Sequence, residues 1–299
     1  MRRKIPATHT LLCFEAAARH ESYTRAAQEL SLTQSAVSRQ ITSLEEFLGQ
    51  TLFRRTRHGV ALTPRGAEYA TQVAERLRAL ERDTLDAMSH QGAGGAIHLA
   101  AVPTFATRWL IPRLPQLVAK YPDITVHIET QTRPFMFAGT GFDAALYAGT
   151  PEQVANWAGT HAVALVAEEV VPVCSPALKQ QPLAPAQVAD LPLLQQSTRP
   201  DGWRQWFDAM GVVAPNALSG PRYELFSMTA AAATHGLGVA LVPRLLIEAE
   251  LARGDLVVAF DQPLKSGRSY WLVMPQRSDD KPALTSFANW LVGVAAETG

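Results

Sequence analysis

Residues 22–45, SYTRAAQELSLTQSAVSRQITSLE, constrain the fold of this chain more than any other stretch, because their apolar and polar positions sort onto opposite faces of two short helices. From Gln34 onward Val37, Ile41, Leu44 and Leu48 recur at steps of four, three and four, the period of one helical stripe. Gln34, Ser35, Ser38, Arg39 and Thr42 fall on the other side, a set of amides, hydroxyls and one guanidinium. Such groups hydrogen-bond base edges and phosphates in a major groove. Upstream, Ser22 is placed to cap a helix whose inner positions include Ala26, Ala27 and Leu30. Ser31-Leu32-Thr33 breaks the pattern, and Thr33 is placed to cap the next helix. An earlier helix around Leu11, Phe14, Ala17 and Ala18 supplies a third wall. The expectation is a helix-turn-helix over a small core. Spacing leaves one alternative open, an ordinary three-helix packing unit with a solvated polar face.

The segment that follows bears on that choice. Leu52 to Leu62, LFRRTRHGVAL, reads as two short strands around a turn containing Gly59, with Arg54, Arg55 and Arg57 near its tip. A hairpin so placed is a wing that can set arginines against phosphates or into a minor groove. The first 66 residues carry ten Lys/Arg and five acids, a net charge of +5, and since the whole chain is formally neutral the remainder carries −5. A basic head on an acidic body suits a nucleic-acid-binding module joined to a part with another task.

At 299 residues the chain exceeds one average domain, and its 47% hydrophobic content is that of a globular protein. No apolar run reaches the roughly 18 residues that a membrane span needs, and MRRKIPATHT is basic without a following hydrophobic region, so the expected location is the cytoplasm, away from membranes. Cys13 and Cys174 stand far apart without a CxxC pattern, which favours buried free thiols over a disulfide or a zinc site.

Thr63-Pro64 opens a longer helix, running to about His90, with threonine as cap and proline in the first turn. Val73, Leu77, Leu80, Thr84 and Ala87 repeat at alternating steps of four and three between charged flanks, a coiled-coil-like seam for a partner helix. A helix packed on its own body is the alternative. Gln91-Gly92-Ala93-Gly94-Gly95 then marks a boundary. Beyond it, strand-like runs begin at Ile97, Ile124, Phe142, Val170, Gly238, Leu256 and Tyr270. They alternate with amphipathic segments at 104–120, 201–210, 227–235, 244–253 and 282–297. This alternation predicts an α/β body with a parallel or mixed sheet covered on both faces.

Ligands of such sheets sit beyond the carboxyl ends of strands, where helix N-termini offer free N–H groups. Thr104 and Phe105 open the helix after the first strand and are placed to hold a carboxylate, with Arg133 as counter-charge or else as a solvated surface arginine. Phe226 and Ser227 open another helix, with Ser227 expected as its cap. Trp203 and Tyr147 are candidates for lining the cleft, with core packing as the competing role. Catalytic patterns are absent from the sequence: the eight histidines show neither HExxH nor HxH spacing, and no serine sits in GxSxG. Gly236-Leu237-Gly238 precedes a strand and so reads as a helix-ending turn, and Asp279-Asp280 reads as a solvated turn.

The run AARHESYTRAAQELSLTQSAVSRQITSLEEFLGQTLFRRTRHGVALTPRG resembles the winged helix-turn-helix of the LysR-type bacterial transcriptional regulators, over nearly all of the first 66 residues. By this resemblance Ser22, Thr33, Gln34, Ser35, Ser38 and Arg39 would contact DNA, with Arg54 and Arg57 in the wing. The linker helix would dimerise through Val73, Leu77, Leu80 and Thr84, and two heads would meet a duplex promoter site of dyad symmetry. FDAALYAG, EEVVPVCSP, DGWRQWFDAMG, FSMTAAAATHGLGVALVP and SYWLVMP resemble the effector-binding half of the same family, nearest the group that regulates glycine-cleavage, tryptophan-synthase and β-lactamase operons.

The implied architecture is an all-α winged helix-turn-helix head (1–65), a dimerising linker helix (66–91) and an α/β, periplasmic-binding-protein-like effector domain (92–299). Its subdomain I would be 92–166 with 269–299 and its subdomain II 167–268, with crossings near Ala167 and Ser269. The implied function is transcriptional regulation by a homodimer or homotetramer, without enzymatic activity, cofactor or metal. A small-molecule effector, a carboxylate by the candidates above, would bind between the subdomains, and RNA polymerase is a further expected partner. The alternatives are a solute-binding protein or enzyme on the same α/β body, with a triad dispersed in sequence, or an architectural DNA protein without effector.

Overall fold

Small side chains set the geometry of the N-terminal helices. Ala16 and Ala17 of α1 (Thr8–His20) and Ala26 and Ala27 of α2 (Tyr23–Glu29) are all buried, which lets the two helices approach closely. Ser22 Oγ accepts the Arg25 N–H at 3.3 Å and Thr33 Oγ1 accepts that of Ala36 at 3.2 Å, so both expected caps are present. α3 (Gln34–Leu48) buries Val37, Ile41 and Leu44 in the shared core, and each side chain so buried contributes about 1.5–3 kcal/mol.

β1 (Phe53–Thr56) and β2 (Gly59–Leu62) pair antiparallel from Phe53↔Leu62 to Thr56↔Gly59 as the expected hairpin. Phe53 turns inward and meets the Phe14 ring edge-on at 5.7 Å. Glu45 on α3 anchors the start of this hairpin, its Oε1 accepting the N–H groups of Leu52 and Phe53 at 2.6 and 3.1 Å. Thr63 Oγ1 caps α4 (Pro64–Ser89) by accepting the Gly66 N–H at 3.0 Å. Gly66 lies against the hairpin: a Cβ there would come within 2.1 Å of the Leu52 carbonyl oxygen.

The expected seam of α4 divides in two. Val73 is buried and Leu77 half-buried against the core of the head itself, because the first turns of α4 run over α1 and the hairpin. Leu80 (52% exposed), Thr84, Leu85 (58%) and Met88 (76%) face outward, and the Thr84 hydroxyl is spent on the Leu80 carbonyl at 2.7 Å.

The computed structural model describes residues 4–57, 59–89, 95–178, 183–276 and 281–297. Of the expected boundary at 91–95 only Gly95 is among them, and the Asp279-Asp280 turn lies outside them. The chain divides into two compact units, residues 1–91 with 138–141 and residues 92–137 with 142–299.

The second unit is built on one mixed sheet. Its strands are β3 (Ala96–Ala101), β4 (Thr125–Thr130), β5 (Ala144–Gly149), β6 (Thr160–Cys174), β7 (Leu193–Gln196), β8 (Arg222–Tyr223), β9 (Val239–Pro243), β10 (Val257–Val258) and β11 (Leu264–Pro275). The order is β4-β3-β5-β11-β6-β9-β7-β8, with β10 on β6. The pairs β3–β4, β3–β5, β7–β9 and β7–β8 are parallel, while the two long central strands β6 and β11 pair antiparallel to each other and to their neighbours.

Every strand expected from the sequence is present, and β7 and β8 are additional. The helix expected over 104–120 is a succession: α5 (Pro103–Phe105), a π-helical turn at Ala106–Leu110, a 3₁₀ turn at Ile111–Arg113 and α6 (Leu114–Lys120). Pro112 and Pro115 have no N–H to donate, which breaks a regular α ladder there. α7 (Pro151–Ala155) and α8 (Pro185–Ala189) are short helices not foreseen, whereas α9 (Gly202–Ala209), α10 (Phe226–Thr234), α11 (Glu248–Arg253) and α12 (Pro282–Ala296) match expectation. Phe105 stacks between Tyr270 (4.1 Å) and Trp109 (4.7 Å) in the largest apolar cluster. Cys13 and Cys174 are both buried, and burial raises the Cys13 thiol above its ordinary value. No described helix is long and apolar enough to cross a membrane.

Candidate nucleic-acid interface and effector cleft

The two faces of α3 separate completely. Val37, Ile41 and Leu44 are at most 1% exposed, while Gln34, Ser35, Arg39 and Thr42 are exposed and Ser38 is half-buried. Some of the polar edge is internally committed: Thr33 Oγ1 lies 3.1 Å from Ser35 Oγ, and the Thr42 hydroxyl donates to the Ser38 carbonyl at 3.0 Å. Arg54, Arg55 and Arg57 are exposed on the hairpin. Among the described residues no carboxylate pairs with Arg39, Arg54 or Arg57, so these guanidiniums remain open to phosphates or base edges. Arg19 is the contrast, held between Glu15 at 3.1 Å and Glu29 at 2.6 Å. Hydrogen bonds from Arg19 and His20 hold the Glu29 carboxyl at about 2, well below the ordinary carboxylate range.

In the second unit, the chemistry collects where β6 and β11 run side by side. Ala167 pairs with Ser269 and Glu169 with Lys265, so the single residue Glu168 stands opposite the three residues Ser266, Gly267 and Arg268. Gly267 takes φ 74° in this bulge, a left-handed conformation that favours glycine. Glu168 is fully buried at its carboxylate. It receives Arg199 through both oxygens at 2.9 and 2.8 Å, and Ser266 Oγ donates to it at 2.9 Å. Burial works against the charge of Arg199, yet its pairing with Glu168 holds the guanidinium above its ordinary value. Burial, then the nearby Arg199 charge, depress Arg268.

Two adjoining cavities share Gln196, Arg199, Phe226 and Arg268 as common walls. One, of about 260 Å³, is lined by Val170, Leu194, Trp203, Leu241 and Leu264. The other, of about 190 Å³, is lined by Thr104, Tyr147, Gln153, Thr198 and Tyr270. Among the described residues the buried hydroxyl of Tyr270 has no hydrogen-bond partner, and burial followed by the Glu168 charge raises it well above the ordinary phenol value.

Most sequence-nominated effector residues meet here. Thr104 and Ser227 touch each other: Thr104 Oγ1 donates to Ser227 Oγ at 3.3 Å and accepts the Ser227 N–H at 3.2 Å. Ser227 is therefore not the helix cap it was expected to be. α10 begins one residue earlier, after Leu225, and the Ser227 amide is satisfied by Thr104. Phe105 lines the second cavity and Phe226 both. Tyr147 lines the second cavity while its ring packs edge-on against Trp157 at 5.4 Å. Trp203 serves both roles weighed for it, lining the first cavity while its Nε1 donates to the Leu194 carbonyl at 3.0 Å.

Arg133 is exposed and lines neither cavity, its neighbour Thr132 lining the second; the arginines at the cleft are Arg199 and Arg268. Sequence reasoning missed Glu168, Arg199, Ser266 and Arg268. One signal was available: Glu168 interrupts the apolar run AVALVAEEVVPVC two residues from both Val166 and Val170, and an acid on that buried face requires a partner.

A winged helix-turn-helix head with a free basic edge, joined to an α/β body holding a two-chambered cleft, defines a DNA-binding transcriptional regulator controlled by a small molecule. Two family models match: "Bacterial regulatory helix-turn-helix protein, lysR family" over residues 8–67 and "LysR substrate binding domain" over residues 90–296. The chain belongs to the LysR family of transcriptional regulators, whose members bind promoter DNA and small-molecule effectors and act as oligomers.

The chain is similar to the glycine cleavage system transcriptional activator of Escherichia coli (strain K12), 36% identical over 299 residues that cover 99% of this chain and 96% of that protein. It is also similar to the crystal structure of the effector domain of the transcriptional regulator AmpR of Pseudomonas aeruginosa. That match has a TM-score of 0.61 and 30% identity, covering 68% of this chain and 97% of that one. The full-length fold matches that of CbnR, a LysR family transcriptional regulator, with a TM-score of 0.72 at 19% identity, over 96% of this chain and 98% of that one.

Proposed function

We propose that this regulator reads a duplex promoter site of dyad symmetry with the exposed edge of α3. Gln34, Ser35, Ser38 and Arg39 face the bases, Ser22 and Thr33 stand at the helix starts, and Arg54 and Arg57 of the wing lie on the backbone or in the minor groove. The observation that carries this reading is the open polar edge of α3 behind fully buried Val37, Ile41 and Leu44. Head (1–65), linker (66–91) and effector domain (92–299) divide the work, and the protein acts in the cytoplasm as a homodimer or homotetramer joined along α4. The outward row Leu80, Leu85 and Met88 supports that interface, with Thr84 beside it and Val73 and Leu77 bracing the helix on its own head.

The effector, a carboxylate, occupies the cleft beside Thr104, Phe105, Tyr147, Trp203, Phe226 and Ser227, between subdomain I (92–166 with 269–299) and subdomain II (167–268). Its differential affinity for two subdomain arrangements, about 1 to 3 kcal/mol, would reposition the heads relative to RNA polymerase. The Escherichia coli relative is by name an activator, which supports activation.

The test is fluorescence anisotropy with duplexes tiling the region upstream of the protein's own gene. Arg39→Ala is expected to weaken the specific duplex by about 1–3 kcal/mol if it reads a base, and all duplexes alike if it contacts phosphate. Unchanged binding by both Arg39→Ala and Gln34→Ala overturns the reading.

A further inference from the structure

We infer that Arg268 is the anion receptor of the cleft, and that the cavity beside Trp203 takes an apolar arm on the same molecule. The effector is then a monocarboxylate carrying an aliphatic or aromatic substituent. This rests on the reading that the cleft binds the effector, and it assigns the chemistry of each half.

Charge balance selects Arg268. The two arginines at the shared wall are not equivalent: Arg199 is bound through both oxygens of the buried Glu168, so that pair is already neutral. Arg268 meets only a neutral acceptor, Gln153 Oε1 at 3.0 Å, and among the described residues it has no carboxylate. A guanidinium partly withdrawn from water with one amide contact retains donors for a bidentate anion. The backbone aims it there. Three residues of β11 bulge opposite Glu168, Gly267 supplies the left-handed turn, and Arg268 comes to border both cavities.

The two chambers differ in chemistry. On one side of Arg268 stand Thr104, Gln153, Thr198 and Tyr270, a hydrogen-bonding surface. On the other the wall is mainly apolar, with Leu194, Trp203, Leu241 and Leu264 beside the polar Asp201 and Gln205, around about 260 Å³. A dry apolar cavity of about 150 Å³ accepts benzene, so this chamber has room for a phenyl ring or a short branched chain. An anion held at the shared wall leaves its substituent facing the apolar chamber, where burial of each methylene contributes about 0.8 kcal/mol.

The probes are 4-phenylbutyrate, its neutral amide 4-phenylbutyramide, and acetate, titrated calorimetrically into the full chain. 4-Phenylbutyrate is expected to bind about tenfold or more tighter than either the amide or acetate. Arg268→Gln is expected to abolish the preference for carboxylate over amide, Arg268→Lys to restore part of it, and Leu264→Trp, which fills the apolar chamber, to bring 4-phenylbutyrate down to the level of acetate. Duplex binding is measured alongside in the absence of probe, so that a failure of the head is read separately from a loss of the carboxylate preference. Equal binding of amide and carboxylate, an undiminished carboxylate preference in Arg268→Gln, or no binding of any carboxylate overturns the assignment. If the amide binds in the cleft while the carboxylates do not, Arg268 loses its role but the cleft keeps its own.

Discussion

Glu45 is a single side chain on which the position of the wing depends. Its Oε1 accepts two backbone N–H groups, Leu52 at 2.6 Å and Phe53 at 3.1 Å, just where β1 begins. Hydrogen bonds to a charged acceptor contribute about 1.5–3 kcal/mol each, but Glu45 is only half-buried and water can replace part of what is lost. Glu45→Ala is therefore expected to destabilise the start of the hairpin by about 2–3 kcal/mol, which at about 1.4 kcal/mol per decade is roughly 30- to 150-fold in local opening. Glu45→Gln, which keeps a neutral acceptor, should lose about half as much.

The assay is amide hydrogen exchange on the full chain, read in peptides covering 50–57 and 34–44. Faster exchange confined to the first, with α3 protection intact, is the expected result. Unchanged protection at Leu52 and Phe53, or uniform loosening of the whole head, would refute the anchor.

Other outcomes follow from the same geometry. Leu80→Asp combined with Leu85→Asp should yield monomers by light scattering without loss of helicity, because both side chains face outward; an unchanged mass removes α4 as the interface. Ile41→Ala, at a position 1% exposed, should cost the head about 2–5 kcal/mol in denaturant unfolding while the transition of the second unit stays put. The Glu29 carboxyl, held at about 2 by Arg19 and His20, should be seen by NMR to titrate far below an ordinary glutamate. Because its folded value is depressed, its stabilising contribution is complete above about 4.5 and is lost as the pH falls from there toward 2. Glu29→Gln should remove that acid-side slope, which is small because the group is exposed.

Periodicity carried the head into view because each of its rules is local. Capping at Ser22 and Thr33, the stripe through Val37 and Ile41, and the Gly59 hairpin all act over a few residues. β7 escaped notice for the opposite reason. Its LLQQ run ends in two amides that look like loop, yet Gln195 and Gln196 are buried and satisfied by carbonyls from distant segments, Ala217, Ser219 and Glu224. The cleft was half legible. Thr104 and Ser227 could be nominated from helix starts, but Arg268 depends on a register shift between two strands about a hundred residues apart, and nothing local encodes that. Likewise the seam of α4 looked continuous, because the heptad pattern does not distinguish burial against one's own core from burial against a second chain.

The contact at Gly66 makes the longest helix a lever. With no side chain there, the helix backbone rests directly on the Leu52 carbonyl at the start of the hairpin. From Gly66 to its end at Ser89 the helix extends about 35 Å, so a tilt of about 10° at Gly66 would carry its far end about 6 Å sideways. Two subunits gripping each other near that far end would thereby set the spacing of their wings, and a groove offset by even one base-pair step would be felt along the whole rod.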